Sequence, residues 1–283
     1  RKRDIPELIL AKNLYGLEID DRAAQLAGFA LMMRARGDDR NIFDNGIQPQ
    51  IVSIQEISSE DAQRIITDIA SENKQITKDI NALLELFEYG KTFGSLIHIP
   101  EEVVGKLNFI EDAMKKLTKS GNLFPQKSAE LITPFIEQSK YLSRKYDAVV
   151  ANPPYMGSKY LNPKLKKFVK DEYSDFKKDL FSAFIIRNYE LIKRAGFLGF
   201  VSPFVWMFIS SYQKLRNHLF DNSSIISLVK PSYTAFFKSA IVPLVTFVIR
   251  DNIKNIRGDF FDLGYLGTAS SQPEKLKEAI KNS

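Results

Sequence analysis

Asp147-Ala148-Val149-Val150-Ala151-Asn152-Pro153-Pro154-Tyr155 is the stretch that decides how this chain is read. Tyr146–Ala151 reads as a strand, and it runs straight into two prolines. Each proline fixes φ and removes a backbone donor. The strand therefore gives way to a stiff corner that offers acceptors, the Asn152 side-chain oxygen and the Pro153 carbonyl. Such a pair suits a planar amino group, whose two hydrogens point in fixed directions and whose lone pair is delocalised. Accepting both hydrogens stabilises positive charge that develops on the nitrogen and aims it. Tyr155 adds a ring on which a planar base can stack. A chance Asn-Pro-Pro-Tyr in a chain of this length is on the order of a one-in-a-thousand event, given proline near 5% of residues. The competing reading is a plain turn, since Asn-Pro and Pro-Pro both break strands.

Downstream of the corner, Asp179–Arg194 reads as a helix with Leu180, Phe181, Phe184, Ile185, Tyr189 and Ile192 inward. Gly196 is expected to end it. Strands are expected at Phe197–Val201, Ile225–Val229 and Leu244–Ile249, with a short helix at Tyr212–Phe220. The last strand is almost wholly apolar, which predicts an interior position. Beyond Arg250 come a hairpin-like stretch and a polar, helical end.

Upstream, Leu14–Asp20 reads as a short strand ending in acids, with Asp20 or Asp21 capping a helix through Met32. Ile51–Ile54 is a second strand that ends at Gln55 and Glu56. Alternating strands and helices predict an α/β fold with a mostly parallel sheet covered on both faces. Ligands of such sheets sit outside the carboxyl ends of the strands. Glu18, Gln55-Glu56 and Asn152–Tyr155 all fall at such ends. Between the two halves, isoleucines and leucines recur at helical steps from Ser58 to Leu142, predicting an insertion of two or three helices. A break is expected at Gly94–Pro100, and Pro125 and Pro134 punctuate its end.

Composition narrows the chemistry. The chain has no cysteine, which excludes disulfides, thiolate nucleophiles and cysteine-bound zinc. Its two histidines, His98 and His218, lie far apart, so no metal site is expected. No apolar run approaches the roughly 18 residues of a membrane span, no secretory signal is evident, and a cytoplasmic protein is expected. The chain does not open with Met, which reads as a piece of something longer. The formal charge is +6. Seven lysines fall between Lys159 and Lys178, against Asp171, Glu172 and Asp175. They read either as a solvated helix face or as a phosphate-contacting surface.

Taken together, Asp147–Tyr155 resembles motif IV of the amino-methyltransferases. Lys178-Asp179-Leu180-Phe181-Ser182-Ala183-Phe184 resembles the motif that comes after it, and Gly16-Leu17-Glu18-Ile19-Asp20 resembles their motif II. The arrangement is similar to the adenine methyltransferases of BREX-type phage defence, the PglX family, and to large restriction–modification methyltransferases. The resemblance spans most of residues 11–280, with Asn152–Tyr155 its one highly specific segment. It implies a Rossmann-like methyltransferase sheet with a helical insertion. The sheet is expected to be incomplete, because nothing in residues 1–13 resembles the family's first strand and glycine-rich loop.

The implied organisation is a partial cofactor-binding half (1–57), the helical insertion (58–143), a catalytic half (144–250) and a C-terminal extension (251–283). The implied activity is transfer of a methyl group from S-adenosyl-L-methionine to the N6 amino group of adenine in double-stranded DNA, within a restriction–modification or phage-defence system and alongside its other subunits. This fragment is expected to be inactive alone. Asn152, Pro153, Pro154 and Tyr155 would hold the flipped target base. Glu18 would take the cofactor's ribose, with Ile19 also in the cofactor site, and Gln55 or Glu56 would bond its adenine amino group. Asp179 would line the cofactor pocket, and Phe237 or Phe236 would pack on the target base. Lys159, Lys166 and Lys167 would contact DNA. Each has a structural alternative: Glu18 as a helix-flanking acid, Asp179 as an N-cap, the phenylalanines as core. Two other readings of the whole remain: methyl transfer to RNA or a protein glutamine, and a non-catalytic interaction module.

Overall fold

The structure is a computed structural model that describes residues 4–233, 243–253, 256–264 and 269–282. The chain forms two compact units, residues 1–144 and 145–283.

In the first unit, α1 (Ile5–Lys12) leads into β1 (Tyr15–Glu18) and α2 (Asp21–Arg36), and β2 (Gln50–Ser53) pairs parallel with β1. Asp20 caps α2, its carboxylate accepting from the Ala23 N–H at 2.8 Å. α2 buries Ala24 and Ala35 and leaves Leu26 and Phe29 exposed. Then come α3 (Ser59–Ala70), α4 (Thr77–Glu85), α5 (Gly90–Phe93), α6 (Glu101–Val104), α7 (Leu107–Leu117) and α8 (Leu123–Ser143). The insertion is therefore richer in helices than the two or three expected. Its isoleucines and leucines, among them Ile65, Ile69, Ile76, Ile80, Leu83 and Leu84, bury together with Phe87, Ile132 and Phe135, and Leu17 of β1 packs on the same core.

The prolines at its end also behave differently. Pro125 lies in the first turn of α8, where a missing N–H costs nothing, and Pro134 lies inside that helix. Pro134 does forfeit one ladder bond. The buried face that runs Ala129, Ile132, Phe135, Ile136 and Leu142 carries the helix through it.

The second unit is a five-stranded sheet in the order β3-β4-β6-β5-β7. Its strands are β3 (Tyr146–Ala151), β4 (Ile192–Pro203), β5 (Ser223–Lys230), β6 (Leu244–Asp251) and β7 (Asp259–Asp262), with helices α9 (Pro163–Glu172), α10 (Leu180–Leu191), α11 (Gln213–Asn222) and α12 (Gln272–Lys281). The sheet is mixed, which corrects the mostly parallel expectation. β3 and β4 are parallel, as are β5 and β7, whereas β6 runs antiparallel to both its neighbours. An antiparallel neighbour, unlike a parallel one, needs no crossover connection, and α11 runs directly into β5. β6 is central, as its apolar run predicted, with Val245 and Ile249 fully buried. The hairpin expected beyond Arg250 is instead β7 pairing parallel with β5. At the other end of the sheet, β3 leaves Val150 82% exposed.

One helix boundary differs from the sequence reading. α10 ends at Leu191 and passes directly into β4, so Gly196 is not its cap. The positive φ nearby belongs to Ala195, at 62°. Gly196 is there for space: a Cβ would lie 2.8 Å from the Lys193 carbonyl and 3.0 Å from that of Asp147.

Among the described residues no helix is long and apolar enough to cross a membrane.

Candidate active site and cofactor groups

The two sets of candidate residues are organised by different means. In the first unit, the carboxyl ends of β1 and β2 carry Glu18 and Gln55. Glu18 folds back on its own chain: Oε1 accepts from the Ile19 N–H at 2.8 Å and the Asp20 N–H at 3.1 Å. That fixes the carboxylate and leaves Oε2 with no donor among the described residues. The open oxygen of the pinned carboxylate can accept a hydrogen bond from a ligand hydroxyl.

Gln55 is held at both ends. Its backbone exchanges two hydrogen bonds with the fully buried side chain of Gln138, N–H to Oε1 at 2.8 Å and Nε2 to the carbonyl at 3.2 Å. Its side-chain Nε2 donates to Asp21 Oδ1 at 2.9 Å and to the Ser53 carbonyl at 3.1 Å. Asp21 Oδ1 also accepts from the Ser53 hydroxyl and from Lys91 Nζ at 2.8 Å. The hydrogen bond from Lys91, followed by those from Ser53 and Gln55, holds the Asp21 carboxyl far below the ordinary carboxylate range. Glu56, the alternative to Gln55, spends its Oε2 on the Lys91 backbone N–H at 3.1 Å. Ile19 is exposed and sits against Gly94.

In the second unit, Asn152–Tyr155 leaves the carboxyl end of β3, beside the carboxyl end of β4, where Ala151 is in register with Phe200. Pro153 is buried; Asn152 and Pro154 are exposed and Tyr155 is half-buried. The Tyr155 hydroxyl donates to Asn152 Oδ1 at 2.5 Å. Burial pushes the Tyr155 pKa up, so the hydroxyl stays a donor. No described donor engages the Pro153 carbonyl.

The chain beyond Tyr155 is tied to the segment before α10. Leu180 N–H donates to the Met156 carbonyl at 2.9 Å, and Ser158 N–H to that of Lys178 at 3.2 Å. Asp179 closes this pairing and caps α10, accepting from the Phe181 N–H at 3.4 Å. Burial raises its pKa, against the lowering effect of backbone N–H bonds from Phe181, Met156 and Leu180.

The three lysines divide. Lys166 lines a groove of about 440 Å³ with Lys170, Lys177, Lys178 and Ser158. Lys159 lies over the Tyr160 ring at 4.7 Å. Lys167 faces Asp171 at 3.9 Å in an exposed pair. Phe236 and Phe237 lie outside the described residues.

The sequence reading missed Lys91 and the part played by Asp21. Lys91 sits 70 residues from its carboxylate partner, and no local pattern links the two. The available signal was Gly90 and Gly94 flanking Lys91, a spacing that marks close backbone approach. It also missed the aromatic shelf beyond β4, where Phe204 and Tyr233 stack with rings 10° apart.

Residues 12–237 match the model of the Eco57I restriction-modification methylases. The chain belongs to that family. Among curated methylase relatives, it is 38% identical to the adenine-specific methyltransferase BrxX of Escherichia coli O9:H4 (strain HS) over 274 residues, 89% of this chain and 23% of that protein. It is 28% identical to the adenine-specific methyltransferase PglX of Lacticaseibacillus casei (strain Zhang), over 99% of this chain and 24% of that one. A third relative, the type II restriction enzyme and methyltransferase RM.Eco57I of Escherichia coli, shares 29% identity over 64% of this chain. The chain thus spans about a quarter of the length of the first two, and the likeness to the BREX methyltransferases noted in its motifs extends along nearly all of it.

Proposed function

We propose that this chain is the catalytic portion of a DNA adenine-N6 methyltransferase, with the target amine held by its second unit and the cofactor's ribose and adenine by its first. One observation carries the reading: within a methylase family, a proline-stiffened corner ends β3 with one exposed side-chain oxygen and one unengaged carbonyl. Asn152 Oδ1 and the Pro153 carbonyl accept the two amino hydrogens of adenine. As that nitrogen attacks, both acceptors stabilise its growing positive charge. The corner is rigid beforehand, so little reorganisation is required at that moment. The hydrogen bond from the Tyr155 hydroxyl to Asn152 keeps the amide aimed until a base arrives, and the tyrosine ring then stacks on that base.

S-adenosyl-L-methionine, when bound, supplies a methyl group on a positively charged sulfur. Glu18 accepts from its ribose hydroxyls through Oε2, and Gln55 takes its adenine. The groove lined by Lys166, Lys170, Lys177 and Lys178 adjoins the segment just after Tyr155, and we assign it to DNA phosphates. Residues 1–283 offer groups for the ribose and base of the cofactor but no glycine-rich loop for its methionine end. By itself this stretch is therefore expected to bind the cofactor weakly and turn over little.

Methyl transfer by the full-length protein to duplex DNA, RNA and protein acceptors tests the assignment. Label should enter adenine N6 of duplex DNA; label in protein or RNA with DNA unmarked overturns it. Calorimetric titration of residues 1–283 with S-adenosylmethionine should give weak heats, and micromolar or tighter binding contradicts the incomplete site.

A further inference from the structure

The segment Gly90-Lys91-Thr92-Phe93-Gly94 comes from the helical insertion, yet it is pressed onto the ends of β1 and β2. A Cβ on Gly90 would lie 2.2 Å from the Gln55 carbonyl oxygen, so only glycine permits the approach. Gly94 takes φ +56°, and a Cβ there would meet Ile19 Cδ1 at 3.2 Å. Lys91, between them, is 27% exposed, and its ammonium has three acceptors: the Ile19 carbonyl at 2.9 Å, Asp21 Oδ1 at 2.8 Å and Ser53 Oγ at 3.3 Å. These three groups belong to the end of β1, the start of α2 and the end of β2.

The consequence falls on Gln55. A carboxamide is ambiguous, because it can present either its oxygen or its NH₂ to a ligand. Here Asp21 and the Ser53 carbonyl take both amide hydrogens, which turns Oε1 away from them. The ionised Asp21 can accept only, so the reversed amide would set oxygen against oxygen. Lys91, at 2.8 Å from Oδ1, holds Asp21 in that place.

We propose that Lys91, through Asp21, is a positioning residue that makes Gln55 an acceptor-only group, and that this polarity selects a 6-amino purine over a 6-oxo purine in the cofactor's base. The proposal rests on the cofactor reading given above. An amino group donates to Gln55 Oε1; a 6-oxo group sets two acceptors face to face and leaves both without a partner, the costly case for a polar contact.

The test is equilibrium binding of S-adenosylhomocysteine and S-inosylhomocysteine to the full-length protein, with no turnover required. Wild type should prefer the adenosine compound by roughly ten- to a hundredfold, the range of one unsatisfied polar contact. Lys91→Met should reduce that ratio to a few-fold, mainly by weakening the adenosine compound. Asp21→Ala, at an exposed position, should abolish or invert it, because the freed amide can turn its oxygen toward Lys91. Asp21→Ala also serves should Lys91→Met fail to fold. Gln55→Ala should remove the preference, and adding Lys91→Met to it should change the ratio no further. If both single variants weaken the two compounds equally, Lys91 merely braces the loop and the proposal is overturned. A wild-type protein that binds both compounds alike defeats it too, while leaving the methyltransferase reading intact. Failure to bind S-adenosylhomocysteine at all defeats that reading itself.

Discussion

The corner after β3 and the network at the ends of β1 and β2 reach rigidity by opposite routes. At Asn152–Tyr155 the stiffness is covalent: two adjacent prolines remove backbone freedom, and one hydrogen bond, from Tyr155 to Asn152, steadies the working amide. At Gln55 nothing local is stiff. Its orientation comes from Asp21, 34 residues away, from Lys91 beyond it, and from Gln138, 83 residues along the chain. On the proposed reading, the groups that act on the reacting amine are carried by a tetrapeptide, whereas those that recognise the cofactor are carried by the packing of a whole unit. Substitutions should therefore act differently in the two places. At the corner they should change rate and spare cofactor affinity; in the network they should change affinity and selectivity.

The largest effect is expected at Asn152. Asn152→Ala removes one of two acceptors for the developing charge and should lower kcat by about a hundred- to a thousandfold, the usual scale for one such donor or acceptor. S-adenosylhomocysteine affinity of the full-length protein should not change. Steady-state methyl transfer alongside titration reads both quantities. An Asn152→Ala protein with undiminished turnover would falsify the role given to the corner.

That asymmetry also explains what could be read from the sequence. The corner was legible because its physics is written in consecutive residues, and for the same reason the cap of α2 could be narrowed to Asp20 or Asp21, of which Asp20 takes the role. The buried strand Leu244–Ile249 was legible from its unbroken apolar run. Lys91 was not, because its three acceptors come together only once β1, β2 and α5 have packed. The direction of β6 was equally out of reach. An apolar run specifies burial and leaves the strand's polarity to its connections. Pro134 misled because local propensity counted against a helix that the shared core of α8 then enforced. Gly196 misled because one residue type answers two needs: it was read as a helix cap, and it is required for clearance beside Lys193 and Asp147.

Next in size are the ring and the second proline of the corner. Tyr155→Ala should cost roughly ten- to a hundredfold in kcat/KM, the worth of one stacked base. Tyr155→Phe keeps the ring and should stay within a few-fold, since on the proposed reading the target amine takes the hydroxyl's place at Asn152. Pro154→Ala, at an exposed position, returns freedom to the corner and should lower kcat by about two- to fivefold. A Pro154→Ala enzyme with normal kcat and weakened cofactor binding would place the corner's stiffness in the wrong half of the comparison.

The lysine groove should give a smaller effect per residue. Replacing Lys166 and Lys178 together by Gln should weaken DNA binding by a similar factor for every sequence. The dependence of log affinity on log salt should become shallower by about one for each phosphate no longer neutralised. Lys167, already facing Asp171, should matter less than Lys166. An unchanged salt slope in the double variant removes the groove from the DNA surface.

The smallest effect concerns Asp179, where the two modes of organisation meet in one residue: a local helix cap that is also a candidate pocket group. Its native pKa is raised by burial, so the folded protein binds this proton more readily than the unfolded chain does. Stability therefore falls as pH climbs from the ordinary carboxylate value to the raised native one, and the full penalty remains above both. Asp179→Asn keeps an equally good cap and carries no charge. Its melting temperature should exceed wild type at pH 8, and the gap should close as pH falls towards about 4, where the unfolded carboxyl also protonates. Differential scanning of the two proteins across that range checks the sign. If the gap appears and S-adenosylhomocysteine affinity is unchanged, Asp179 serves α10 alone. If affinity falls while the melting gap persists, the buried carboxylate faces the cofactor, and its raised pKa is a cost of standing in the pocket.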